Sequence, residues 1–237
     1  MVIAVSRQSC TTRVTRSTTS TCCGSCGRVT YCREDNLLCL RKRRFIATTD
    51  SNHSFLTYPN LAANLNVTDI GKLWVADITY VRLSRQFSYL AAVLDVFSRR
   101  CIGSSIREHL RSSLAIAALE MAFSQREVKS GLLHHSDRGS QYASGDYIKA
   151  LDQHGIQPSM SAKGNPYDNA NAEGFMKTLK YEEVYLWEYE NAEEAQASIG
   201  WFIEKIYNRR RLHSALGYRS PADFKRSLTN KQSFTVA

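Results

Sequence analysis

The sequence predicts a mixed α/β domain organised on five strands. Three observations lead there. "LWVADITYVRL" and "FSYLAAVLDVF" are strand-like apolar runs separated only by Ser84-Arg85-Gln86. "GLLHH" (131–135) is a short apolar run that stops at the polar turn "SDRGSQ". Helical stretches alternate with the later strands instead of following them as a block, which favours strands that enter a sheet by crossovers.

Taken in order, the first two runs and "CIGSSI" (101–106) read as an antiparallel meander turning at Ser98-Arg99-Arg100. "LAIAALEMAF" (114–123) is helical, the strand 131–135 follows, and then comes a helix over about 144–154. "IQPSM" (156–160) is the fifth strand. Gly164, Asn165 and Pro166 break the chain, Asp168 is a helix N-cap, and Phe175, Met176 and Leu179 form the stripe of the helix behind it. The last clear helix spans 192–208, with Ala195, Ile199, Phe202, Ile203 and Ile206 on its apolar face; Trp74 and Trp201 read as core.

The chain has 237 residues, 43% of them hydrophobic, enough for one core and a smaller appendage. No apolar run is long enough to span a membrane, and no signal-peptide core opens the chain, so a cytosolic location is the default expectation. A formal charge of +9 favours a polyanionic partner, most simply nucleic acid.

Residues 1–28 form a Ser/Thr/Cys-rich leader without periodicity, in which little packed structure is expected. Cys23-x-x-Cys26 has zinc-ligand spacing, but Cys32 and Cys39 are too far apart to supply a second pair of that kind. Residues 29–68 read as a basic helical segment and linker; Arg41, Lys42, Arg43 and Arg44 serve either phosphate contact or a solvated linker. The main domain spans 69–226, and 227–237 is a tail.

Three acids stand out. Asp77 lies inside a strand expected to be covered on both faces, where an unpaired carboxylate costs several kcal/mol. Asp137 follows the fourth strand at its carboxyl end, where ligand sites of open α/β sheets form, although an Asx-turn is its ordinary role. Glu173 sits early on the helix after the fifth strand, and its ordinary role is a salt bridge to Lys177 one turn on. If strands one and four are neighbours, the two aspartates meet and the helix lays Glu173 across them. Three such carboxylates raise one another's pKa, and the arrangement calls for a hard divalent cation, Mg²⁺ or Mn²⁺. Asp95 is the rival ligand but precedes a turn that it can cap.

"LWVADITYV", "YLAAVLDVFSRRCIG", "HHSDRGSQYAS", "GNPYDNANAEGFMKTLKYEEVY" and "YNRRRLHSALGYRSPADF" together resemble the integrase core of bacterial insertion-sequence transposases, specifically the second-frame (OrfB) product of the IS-three family. The similarity covers about residues 29–224. It implies a ribonuclease H-like fold, a two-metal site with Asp77, Asp137 and Glu173 as the acidic triad, and DNA strand cleavage and transfer. It also implies DNA partners (transposon ends and target), a homo-oligomer on that DNA, a possible first-frame partner product and a bacterial, nucleoid-associated setting. Lys177 and Lys180 then become DNA-backbone contacts, joined by Arg209, Arg210 and Arg211. Two departures are visible. Gly174 stands where the family usually has serine, and the leader replaces a longer helical DNA-binding segment. The second departure gives the alternative expectation of a truncated, catalytically silent DNA-binding product.

Overall fold

The computed structural model describes residues 53–63, 65–162 and 169–235. The leader, its cysteines, the basic run Arg41–Arg44 and Asp168 lie outside these residues. Three strands form the meander: β1 (Leu73–Arg82), β2 (Phe87–Asp95) and β3 (Cys101–Arg107). Helix α1 (Ser112–Gln125) leads to β4 (Leu133–Ser136); a short turn of helix α2 (Ser140–Ala143) and α3 (Gly145–Gln153) lead to β5 (Gln157–Met160). Helix α4 (Ala170–Leu179) and helix α5 (Ala192–Trp201) complete the elements expected.

The sheet order is β3-β2-β1-β4-β5. β1 pairs antiparallel with β2 and parallel with β4, and β4 pairs parallel with β5. The expected adjacency of the first and fourth strands is therefore present. This is the five-stranded mixed sheet of a ribonuclease H-like domain.

Two apolar layers sandwich the sheet. Trp74, Ala76 and Ile78 join the layer containing α1 and α3, whereas Leu73, Val75 and Val81 join the layer containing α4 and α5. This is the two-residue alternation of a strand buried on both faces. The α1 layer approaches closely at Gly103, where a Cβ would lie 2.0 Å from the Ala118 carbonyl oxygen. Only glycine permits that helix-to-strand contact.

Four features differ from the sequence-based expectations. Both α4 and α5 run on into wider i→i+5 turns, Lys180–Val184 and Phe202–Tyr207. Trp201 is not core: it is 58% exposed. Successive residues advance about 100° around a helix, which sets Trp201 opposite the stripe of Ala195, Ile199, Phe202 and Ile203. A further helix, α6 (Pro221–Thr235), crosses the expected boundary between core and tail, its first turn fixed by Ser220 and Asp223. Finally, the described part of the supposed linker is laid along the edge strand β5. Pro59 O accepts from Met160 N at 3.4 Å, and Leu61 N donates to Ser159 Oγ at 2.9 Å. An edge strand's open hydrogen-bonding groups attract such cover. Among the described residues, no helix is long and apolar enough to cross a membrane.

Candidate active site

Parity and register bring the first two acids together. Asp77 shares the odd-numbered face of β1 with Val75, the face covered by α4. The parallel ladder pairs Val75 with His135, and two further residues along each chain lead to Asp77 and Asp137. Asp137 Oδ1 also accepts the Gly139 N–H at 2.9 Å, so the Asx-turn and the site use the same side chain. A Cβ on Gly139 would stand 3.0 Å from that oxygen.

Helix α4 supplies the third acid. Asn169 occupies its N-cap position and donates from Nδ2 to Ala76 O at 3.1 Å, pinning the start of the helix to β1 beside Asp77. Glu173 follows one turn later, exposed. It forms no ion pair with Lys177, so the ordinary i,i+4 role is not taken up.

The electrostatics tie the three acids together. Burial, then the Asp137 charge and then that of Glu173 push the Asp77 carboxyl up to about 7, against the Ile78 N–H bond and Lys180, which lower it. Lys180 is half-buried, with Nζ 3.9 Å from the centre of the Tyr80 ring. Its pKa is lowered by burial and partly restored by Asp77. Among the described residues, no three His, Cys, Asp or Glu side chains already converge into a ready-made metal cage.

The donor chemistry nevertheless fits a hard divalent cation. Three carboxylates supply the oxygens, their mutual repulsion calls for a counter-charge, and Asn169 Oδ1 is buried without a hydrogen-bond partner. Asn169 was missed in the sequence because a polar residue at a helix start ordinarily caps its own helix, whereas this one bonds across to a strand.

The remaining candidates have other work. Asp95 is 1% exposed and accepts Gly71 N and Ser98 N, each at 2.8 Å, and Ser98 Oγ at 2.6 Å. It is a turn cap at the far end of the strand pair, opposite Trp74. His134 bonds the Tyr147 hydroxyl at 3.0 Å, and His135 bonds Ser159 and Ser161 at 2.9 and 3.1 Å. Both are buried.

Sequence and structure comparisons fall on this region. The integrase core domain family matches residues 68–166, and a second integrase core family matches 154–221. The 31 kDa protein of insertion element IS600 from Shigella sonnei is 43% identical over 194 residues, covering 81% of this chain and 71% of its own. The transposase for insertion sequence element IS904 from Lactococcus lactis is 41% identical over 172 residues, covering 72% and 68% respectively. The chain belongs to the integrase-core transposases of insertion sequences.

Solved structures match the transposase in fold. The catalytic core domain of BIV integrase superposes with a TM-score of 0.51 at 17% identity, covering 68% of the transposase and 99% of that domain. A chain of the simian T-cell lymphotropic virus intasome, solved with a PP2A regulatory subunit, gives a TM-score of 0.54 at 19% identity; the match covers 75% of the transposase and 60% of that chain.

The expected DNA-contact residues are divided by their partners. Lys177 is exposed and Lys180 flanks Asp77. Arg209 is paired with Glu204 at 3.0 Å and Arg211 with Glu182, whereas Arg210 is exposed and forms no ion pair among the described residues. Arg99, in the turn between β2 and β3, donates to Asn171 on α4, a tie no local pattern announces.

Proposed function

We propose that this transposase cleaves and joins DNA strands at the Asp77, Asp137 and Glu173 site with divalent metal, Mg²⁺ or Mn²⁺, as two ions. The observation that carries the reading is the β1–β4 register that leads to half-buried Asp77 and Asp137 together, with Asn169 pinning the start of the helix that bears Glu173 to β1; the charges of the other two acids raise the Asp77 carboxyl in keeping with it. Bound metal would activate the attacking water or 3′-hydroxyl and stabilise the leaving 3′-oxygen. Asp77, Asp137 and Glu173 would hold the metal. Glu173 would do so from the exposed first turn of α4, where its charge already acts on Asp77.

The chain's own groups do the positioning. Asn169 holds α4 against β1, and Gly139 holds the Asp137 carboxylate. Lys180, its Nζ over the Tyr80 ring, and Lys177 grip backbone phosphates beside the acids, and Arg210 extends that grip. The partners in this reading are transposon ends, target DNA, further copies of the chain and a first-frame product, in the nucleoid of a bacterial cytoplasm.

The test is strand transfer of a labelled transposon-end duplex with Mg²⁺ or Mn²⁺, comparing the chain with Glu173→Gln. The variant's activity falls by about 10²–10³-fold or more, the cost of removing one preorganised electrostatic stabiliser. Equal activity in both proteins contradicts the triad. DNA binding without activity in either favours the catalytically silent alternative.

A further inference from the structure

A basic cavity opens away from the acids, between the start of β3, the end of the α5 rod and α6. It is open to solvent, about 530 Å³ in volume, and Arg100, Arg209, Lys225 and Arg226 line it around one acid, Glu204. The sheet register separates it from the catalytic acids: Asp95, at the cavity end of β2, lies opposite Trp74, whereas Asp77 lies opposite Ala92. None of the cavity's cations is among the groups that shift the Asp77 carboxyl.

The walls are fastened together. Buried Asn208 accepts Cys101 N–H at 3.0 Å and donates back to Cys101 O at 2.9 Å. Its own carbonyl accepts Ala222 N–H at 3.0 Å, so one residue joins β3, the α5 rod and α6. Phe97 and Phe224 pack at 5.5 Å between ring centres as a second fastening.

Positive charge in this cavity exceeds its acids. Glu204 takes Arg100 at 3.5 Å and Arg209 at 3.0 Å, and Asp223 takes Arg226. Lys225 forms no ion pair among the described residues. The Arg126 guanidinium, from the end of α1, holds the Lys225 ammonium below its ordinary value, aided by burial and by Arg100. Arg126 Nη2 and Arg100 Nε are both buried with no hydrogen-bond partner. The solvent-facing part of the lining, Lys225 above all, keeps donors that an anion with several acceptor oxygens satisfies. A balanced structural network has no need of such a surplus.

We propose that this cavity holds a backbone phosphate of duplex DNA outside the catalytic centre, with Arg100 and Lys225 of its lining attracting it and Glu204 moderating its affinity. The open mouth suits a phosphodiester within a strand; small free ligands are usually enclosed. Exposed Arg209 and Arg226 at the rim lie where neighbouring phosphates pass. The inference rests on the DNA-joining reading but requires neither metal nor the triad.

The test is equilibrium binding of a fluorescein-labelled duplex by the full chain in EDTA across a salt series, for the native protein, Lys225→Ala and Glu204→Gln. EDTA keeps a failure of the metal site from affecting the result. Lys225→Ala weakens binding and makes the log-log salt slope shallower by about 0.9 for a lost phosphate contact. Glu204→Gln tightens binding and steepens the slope, a gain that misfolding does not produce. Unchanged affinity and slope in Glu204→Gln overturn the proposal and leave a structural ion-pair network. Saturable binding of inorganic phosphate, with duplex binding unchanged in both variants, overturns it in favour of a free anion.

Discussion

At the residue scale, Gly139 is the most informative position outside the triad. Its N–H holds Asp137 Oδ1, and a Cβ there would press on the same oxygen. Gly139→Ala therefore displaces the carboxylate and weakens Mn²⁺ binding by about 10–100-fold, as loss of a ligand-orienting contact does. Calorimetric titration checks this, with the unfolding midpoint measured alongside to separate it from a folding defect. His134 provides a second prediction. Burial, followed by the His135 charge, lowers its pKa from 6.5 to about 3. The folded state thus keeps it neutral, so its contribution to stability is complete above pH 6.5 and is lost as pH falls toward 3. His134→Gln, able to keep a bond to Tyr147, flattens the fall in stability between pH 6.5 and 5 by about 2 kcal/mol, at 1.36 kcal/mol per unit. Denaturant unfolding at the two pH values measures it, and parallel losses in both proteins contradict it.

At the element scale, α4 is the helix on which the site depends. The sequence shows its apolar stripe, and Phe175, Met176 and Leu179 are buried, joined by Ala172. Its anchoring was not legible, because the bonds from Asn169 to Ala76 O and from Arg99 to Asn171 cross long stretches of chain. Gly174 departs from the family pattern, yet a Cβ there meets nothing within 4 Å. Gly174→Ala should therefore stabilise the protein by up to about 1 kcal/mol, the propensity difference between the two residues in a helix. Thermal unfolding reads this directly, and a loss of stability contradicts it. The i→i+5 turns at Lys180–Val184 and Phe202–Tyr207 were also invisible in the sequence, since they interrupt neither apolar stripe. The Trp201 reading failed for a related reason: residue type alone suggested core, whereas its position on α5 faces away from the stripe.

At the scale of the whole molecule, the sheet was legible because its strands announce themselves one by one and the crossovers leave few orders open. Asp77 was legible because a carboxylate in an apolar strand conflicts with its surroundings unless something offsets the charge. The cover over β5 was not, because a turn-rich polar segment reads alike whether it is packed or solvated. The cavity at Arg100 and Lys225 was not legible either, since it collects residues from the turn before β3, the stretch beyond α5 and α6, which only the fold brings together. The arrangement of the acids rests instead on the β1–β4 register and on the strand face that α4 covers.

The measurement that tests the central claim most directly is a Mn²⁺ titration of the full chain near pH 7.5, comparing native protein with Asp77→Asn by calorimetry and unfolding midpoint. The native chain binds saturably with a metal-dependent rise in midpoint, and both are lost in the variant. Equal binding by the two proteins, or none by the native chain, would contradict the claim that these carboxylates form a metal site.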